Sequence, residues 1–522
     1  MRNHLRCRGF LNGMTSGRRQ RAGFVVAALC AAFLAWAIVG LSGSTAFAPP
    51  ASAAPRAHSA AKCDQACQAR RREEQAQLRR RNALQKRPNV IVIDTDDMNA
   101  ADISVMRNTL SLLGARGTTF RNSYVTYPLC CPSRATFLTG QYTHNHHVLT
   151  DQRFTDLDSS NILAVWLRQA KYRTAMVGKY LNGYGEVYPR EVPPGWTQWY
   201  ALTRGTEQKR YAFDLNENGK LRHYPRNPRN YIDYVLDAKV NGLLKMWAPS
   251  PKPFFLYYNP NNPHGERALP SWSTRDPEPA PQYLGVFGDI TAPRTPNFDE
   301  ADVSDKPQAV RESPPLSDAL LADIDRRYRG RLESLLSVDD EVKRIVGLVR
   351  KFGDKRNTFF IFTSDNGLEL GSHRIEFKNF LYEEGERVPL IIRGPGFPVN
   401  ATRDQLVANI DLAPTITALT GTRPGRIMDG IPLLPLAKTR GDANNRDLLF
   451  ESPDIGAYGI RRGPWKYTAW DNGDEELYNL DTDPYELNNL LFGPGASAYM
   501  AIRDQLAARL AQLRTCNGAN CQ

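Results

Sequence analysis

The sequence predicts an α/β protein: a large, mostly parallel sheet flanked by helices, then a smaller C-terminal α+β domain with a short antiparallel sheet. Three features carry that prediction. Continuous apolar runs, Val90-Ile91-Val92-Ile93 and Phe254-Phe255-Leu256-Tyr257-Tyr258, are what strands covered on both faces require. Segments of helical period alternate with such runs, the pattern of a parallel sheet with crossover helices. Beyond Leu436 the pattern shortens to four strand-length runs and one closing helix.

From the N-terminus, the first 62 residues hold eight Lys or Arg and no Asp or Glu, and Phe24–Leu41 is almost wholly apolar. Ala46-Phe47-Ala48 and Ala51-Ser52-Ala53 follow as small-residue cleavage sites. Together they make a signal peptide over residues 1–53; the apolar run is also long enough for a single-span signal anchor. Either way the folded body is secreted or held at the cell surface. Residues 54–87 form a basic linker or solvated helix, suited to tether the chain to a membrane or cell-wall polymer. The net charge of +12 resides in these segments, eight in the leader and a net five in residues 63–87, so the remaining 435 residues are nearly neutral. That balance gives no support to a nucleic-acid partner.

The catalytic domain is expected over 88–436 and the C-terminal α+β subdomain over 437–522. Within the first, Asn161–Ala170 reads as a helix, with Arg173–Val177, Pro253–Tyr258 and Thr358–Thr363 as strands. Asp318–Lys351 has helical spacing, with Leu320, Leu321, Ile324, Leu332, Leu335, Leu336 and Val342 on its apolar side. Residues 265–315 are Pro-rich and aperiodic, as expected of loops around an opening. Asp447–Glu451, Tyr458–Arg461, Lys466–Trp470 and Glu476–Asn479 read as the short strands, and Ala498–Arg514 as the last helix. Cys63 and Cys67 near the start, and Cys516 and Cys521 near the end, read as disulfides, within each pair or tying the two ends. A zinc site from these four would lack an accompanying His.

Two strands end in acidic clusters, Asp94-Thr95-Asp96-Asp97 and Asp365-Asn366. Ligands gather at the carboxyl ends of strands in open α/β sheets, so both clusters should meet at one mouth. Their oxygens make a hard site for Ca²⁺ or Mg²⁺. In Leu129-Cys130-Cys131-Pro132-Ser133-Arg134, Pro132 suits a first helical position and Gly140 suits the stop. Cys130 would then face the free amides of a helix N-terminus, which favour a sulfate or phosphate, and Arg134 would add a fork of donors one turn on.

The Cys-x-Pro-Ser-Arg string followed by Leu138-Thr139-Gly140 resembles the type I sulfatases of the alkaline-phosphatase-like superfamily. The resemblance implies that Cys130 is converted by a formylglycine-generating enzyme to 3-oxoalanine (formylglycine). It further implies one calcium ion held by Asp96, Asp97, Asp365, Asn366 and residue 130, with Asp94 the doubtful member. Gly178-Lys179, Pro263-His264, the His373 of Gly371-Ser372-His373-Arg374, and Lys378 match family positions, so Lys179, His264, His373 and Lys378 join Cys130 and Arg134 as expected catalytic residues. Thr143-His144-Asn145-His146-His147 resembles the glucosamine-6-sulfatase branch and reads as pocket wall. Gln141 and Leu181 stand where many sulfatases carry a basic residue and a His, so that helper is either lost or supplied by His144, His146 or His147. Val407–Thr420 resembles the helix before the family's C-terminal domain, and Glu476–Glu486 its closing stretch. The implied activity is hydrolysis of sulfate monoesters, of a sulfated sugar, in particular a 6-sulfate on an amino sugar, or of an aryl sulfate. The rival readings are a phosphonate or phosphate monoester hydrolase of the same superfamily, for which a second metal set is lacking, and a non-catalytic binder of sulfated polymers with Cys130 unmodified.

Overall fold

The computed structural model describes residues 69–70, 72–75 and 87–522, apart from 152, 204, 207, 268–273 and 440–445. The leader over 1–53, most of the 54–87 linker, and Cys63 and Cys67 lie outside the described residues. Among the described residues, no helix is long and apolar enough to cross a membrane.

The main sheet is built from β1 (Asn89–Thr95), β2 (Thr118–Phe120), β3 (Arg173–Gly178), β4 (Gln198–Thr203), β5 (Phe213–Glu217), β6 (Lys220–Tyr224), β7 (Phe254–Asn259), β8 (Thr358–Ser364), β9 (Leu390–Arg393) and β10 (Ala401–Arg403). Their spatial order is β10-β2-β9-β8-β1-β7-β3-β4-β5-β6. The five central strands β8, β1, β7, β3 and β4 are parallel, and antiparallel strands extend both flanks. The helices that matter most are α1 (Cys130–Thr139), α2 (Leu163–Gln169), α3 (Ile232–Trp247), α4 (Asp318–Phe352) and α5 (Leu412–Thr420).

Alternation along the central strands explains their unbroken apolar runs. Val90, Val92, Phe255, Tyr257, Phe359 and Ile361 point to one face, which α1, α2 and α5 cover. Ile91, Ile93, Leu256, Tyr258, Phe360 and Phe362 point to the other, under α3 and α4. Both faces are thus removed from water, at roughly 1.5–3 kcal/mol per buried large apolar side chain.

The predicted strands are present to within one or two residues at each end. The Val407–Thr420 helix needs correction: Val407–Ala408 is extended, Asn409–Asp411 is a 3₁₀ turn, and α5 begins at Leu412. Asp411 causes the delay, since its carboxylate accepts from Ala408 N at 2.9 Å and is gripped by Arg446 at 2.6 and 2.7 Å. Within the described part of 265–315, regular structure is confined to two short paired strands and single turns of helix.

The C-terminal sheet is an antiparallel meander, β11 (Asp447–Ser452), β12 (Ala457–Arg462), β13 (Trp465–Trp470) and β14 (Glu475–Asn479). Helix α6 (Met500–Leu513) lays Leu506, Leu510 and Leu513 against its core. Cys516 is bridged to Cys521, within the C-terminal pair.

Candidate active site

Register brings the two acidic clusters together. Asp94 pairs with Thr363 and Thr95 with Ser364, so β1 and β8 end side by side, and Asp365 N donates to Thr95 O at 3.1 Å. Asp96, Asp97, Asp365 and Asn366 follow, all buried. Asp97 adopts φ +66°, a left-handed conformation costly for a non-glycine residue. It is held from both sides: its N–H donates to Asp365 Oδ1 at 3.1 Å, and Arg331 of α4 donates to its carbonyl at 2.5 Å.

Helix α1 enters this mouth with its N-terminus. Leu129 is the N-cap and Cys130 the first helical residue, so Pro132 occupies the third position, not the first as expected. The reason is physical: N–H groups throughout the first turn lack an intrahelical acceptor, so Pro fits there too. Gly140 ends the helix at φ +70°, as predicted.

The Cys130 thiol is fully buried. Its Sγ lies 2.7 Å from Lys378 Nζ, 3.6 Å from Asp96 Oδ1 and 3.9 Å from Asp97 Oδ1. Lys378 also donates to Asp97 Oδ1 at 2.6 Å, and Lys179 Nζ lies 2.7 Å from Asp96 Oδ2. Lys179 follows Gly178 at the end of β3, where the chain turns against β7. A Cβ at Gly178 would stand 1.8 Å from the Asn259 carbonyl, and φ is +115°, so only glycine fits. Arg134, one turn into α1, reaches Asp365 Oδ2 at 2.8 Å, Asp96 Oδ2 at 3.6 Å and Asp94 Oδ2 at 4.0 Å. His264 Nε2 lies 3.5 Å from Asp97 Oδ2, while its Nδ1 faces the Gly265 carbonyl at 2.6 Å. Asp94 sits behind the others, bonded to Tyr257 OH at 2.7 Å.

Burial alone would raise every carboxylate here, but the cations reverse it for two of them. Lys179, His264 and Arg134 hold Asp96 far below the usual range, and Lys378 and His264 lower Asp97. Asp365 is pushed up to about 7 by burial, with Arg134 opposing. Burial also pushes the Cys130 thiol well up and the His264 imidazole down.

The donor set fits a hard divalent cation. Asn366 gives its amide protons to Asp97 and to Gly367 O at 2.6 and 2.7 Å, leaving Oδ1 without a partner, and Asp96 Oδ2 is met by the Lys179 ammonium at 2.7 Å. Ligand atoms of Asp96, Asp97, Cys130 and His264 lie within 4.8 Å of one another. A buried amide oxygen left free beside ionised carboxylates is what a cation would satisfy.

Cys130, Arg134, Lys179, His264 and Lys378 therefore surround the carboxylates, and His373 does not join them. Its Nδ1 faces Glu300 Oε2 at 2.6 Å and its Nε2 lies 3.4 Å from Asn297 Nδ2. His144 and His146 also stand aside. His144 faces Glu451 at 2.8 Å and the Cys516 carbonyl at 2.9 Å; His146 faces Thr136 Oγ1 at 3.0 Å and Val148 N at 3.1 Å. Gln141 accepts from Arg426 at 2.8 Å, and Leu181 packs in the core. Two supporting residues were not singled out in the sequence: Arg331 behind Asp97, and Arg210, which donates to the His264 carbonyl and to Asn261. Fully buried arginines carry no local sequence signal that separates them from surface ones.

A parallel sheet that gathers carboxylates, lysines and a helix N-terminus at its strand ends defines an alkaline-phosphatase-like hydrolase. Within that class the chain belongs to the sulfatase family, whose description Sulfatase matches residues 88–422, and N-sulphoglucosamine sulphohydrolase, C-terminal, matches residues 371–516. It is a sulfuric ester hydrolase. The N-acetylglucosamine-6-sulfatase of Capra hircus is 32% identical over 494 residues, 84% of this chain and 85% of that one. The N-acetylglucosamine-6-O-sulfatase of Bacteroides thetaiotaomicron is 28% identical over 485 residues, 78% and 83% of the two chains. Among solved structures, one in complex with its substrate D-glucosamine-2-N,6-O-disulfate matches with TM-score 0.68 and 24% identity, covering 82% of this chain and 97% of that one.

Proposed function

We propose that the protein is an exported sulfatase that removes sulfate from sugar monoesters, a 6-sulfate on an amino sugar foremost, using formylglycine made from Cys130 and one calcium ion. The observation that carries this is the placement of Cys130 Sγ at the start of α1, 2.7 Å from Lys378 Nζ and against Asp96 and Asp97. The N-acetylglucosamine-6-sulfatase relatives support the sugar, and the leader-like N-terminal sequence supports export.

Asp96, Asp97, Asp365 and Asn366 would hold calcium, which would supply positive charge opposite the sulfuryl oxygens. Hydrated formylglycine would supply one hydroxyl to attack sulfur and a second whose deprotonation expels sulfate and restores the aldehyde. The chain's own side chains do the rest. Lys179 and Lys378 stay protonated: burial would lower both, but Asp96 and Asp97 outweigh it. With Arg134 they offset charge that builds on the sulfuryl group in the transition state. His264 has Nδ1 committed to the Gly265 carbonyl, which leaves Nε2 as the atom that exchanges a proton beside residue 130. The candidate proton donor for the departing alcohol is His264 or Lys378. Arg210 and Arg331 fix the backbones that carry His264 and Asp97.

The test is the mass of the tryptic peptide Asn122–Arg134 from protein secreted by its own host. An aldehyde at position 130 with Cys131 unchanged is expected. An intact Cys130 thiol, in a host that matures a control sulfatase, overturns the mechanism. For the substrate, N-acetylglucosamine 6-sulfate should be turned over with higher kcat/KM than aryl sulfates or phosphate monoesters; the reverse order defeats the sugar assignment.

A further inference from the structure

A second group of metal-type donors lies away from Cys130, where the segment after Asn366 meets the C-terminal sheet. One ligand atom each of His373, Glu384 and Glu486 falls within 4.8 Å of the other two. His373 is fully buried, and its Nδ1 faces Glu300 Oε2 at 2.6 Å. That contact puts the ring proton on Nδ1 and turns the lone pair of Nε2 away from Glu300. A carboxylate behind the far nitrogen is the arrangement that orients a metal-ligating imidazole. Asn297 Nδ2, 3.4 Å from Nε2, donates to Glu384 Oε1 at 2.8 Å, and Glu384 Oε2 has no partner.

An independent observation points the same way. Glu369 is 0% exposed, and neither of its carboxylate oxygens has a hydrogen-bond partner. Among side-chain charges, Glu384 acts on it most strongly. The surrounding charge is also out of balance. Lys466 pairs with Glu386 at 2.8 Å and Glu486 at 2.9 Å, and Lys306 lies 3.3 Å from Glu300. The buried Arg461 acts on Glu386 and Glu486 as well, so the carboxylates of this group with no ion-pair partner among the described residues are Glu369 and Glu384. Carboxylates left so are costly in a low-dielectric interior unless something positive joins them. A cavity of about 310 Å³ lined by Asp102, Tyr328, Ser372, Glu384 and Tyr485 borders the site at Glu384.

We infer that His373, Glu384 and Glu486, backed by Glu369, form a second cation site, distinct from the carboxylate cluster at Cys130. One imidazole nitrogen with carboxylate oxygens suits a first-row divalent ion of the zinc type better than calcium or magnesium. The ion joins the segment following β8 to the loop following β14, and so clips the two sheets together.

The test uses the full chain, stripped with chelator and then equilibrated with Zn²⁺ in a large excess of Ca²⁺ that saturates the hard-oxygen cluster. Elemental analysis should find one zinc per chain, and crystals should show an anomalous peak at the zinc edge between His373 and Glu384. His373→Ala should lose that zinc while keeping a cooperative thermal transition. Should that variant fail to fold, Glu384→Gln, at a half-buried position, should weaken zinc binding at least tenfold. A wild-type chain that retains no zinc under excess calcium overturns the inference. So does zinc retained equally by Glu384→Gln, or an anomalous peak elsewhere.

Discussion

Cys130 is surrounded by charge yet closed to water, so small changes there have large effects. Replacing the thiol by a hydroxyl in Cys130→Ser leaves an oxygen that can attack sulfur but cannot eliminate sulfate. Multiple-turnover kcat should fall by about 10³ or more while KM changes little, as steady-state kinetics would show. Lys179→Ala removes a cation from Asp96 Oδ2 and should cost about 10²–10³ in kcat/KM. A third residue bears on stability. Burial holds the His146 imidazole down to about 3, so below about pH 6.5 the unfolded chain takes up a proton that the folded chain refuses. The stability this gives is complete above pH 6.5 and is lost as pH falls towards 3, at about 1.4 kcal/mol per pH unit. Denaturation at pH 7.5, 6 and 5 should show this slope, and His146→Gln should flatten it. The same residues show what a sequence conveys. Five of the six expected catalytic side chains converge: Cys130 and Arg134 lie on a helix aimed at one mouth, Lys179 and His264 follow strands, and Lys378 reaches it from irregular chain beyond β8. His373 departs because its φ of +50° and the distant Glu300 direct its ring, and no local pattern reveals either.

The central strands were legible as elements because each is covered on both faces and so reads as an unbroken apolar run. The antiparallel flank β5–β6, and β4 beside it, was not: Lys220–Tyr224 is exposed at three of its five positions, and its role is set by pairing with β5. Helix α3 was not read from the sequence either. At the end of β3, backbone contact dictates the residue. Gly178→Ala would drive a methyl into the Asn259 carbonyl of β7 and strain φ, at a cost of roughly 3 kcal/mol or more. The expected outcome is a lowered melting temperature together with lost activity, because Lys179 would shift with the strand end. A variant that melts like wild type would show that the turn gives way.

For the whole molecule, binding energy at the carboxylate mouth adds to folding stability. Calcium bound as proposed, at about 100 times its Kd, would contribute about 2.7 kcal/mol, so chelation should lower the melting temperature by about 3–5 °C and calcium should restore it. Differential scanning fluorimetry with and without chelator checks this. The division into two sheets was readable from the change of pattern after Leu436. Their attachment was not, since it rests on buried pairs such as Lys466 with Glu386, far apart in sequence.

One such attachment has a consequence in time. His144, a few residues beyond α1, faces the carbonyl of Cys516, a contact spanning 372 residues of chain. Synthesis at roughly 5–20 residues per second separates the two partners by on the order of 20–70 s. Throughout that interval the segment around Cys130 lacks its final fastening. Under the proposed conversion of Cys130, the modifying enzyme would meet this stretch before the fold shuts over it, and a slower ribosome would lengthen the appointment.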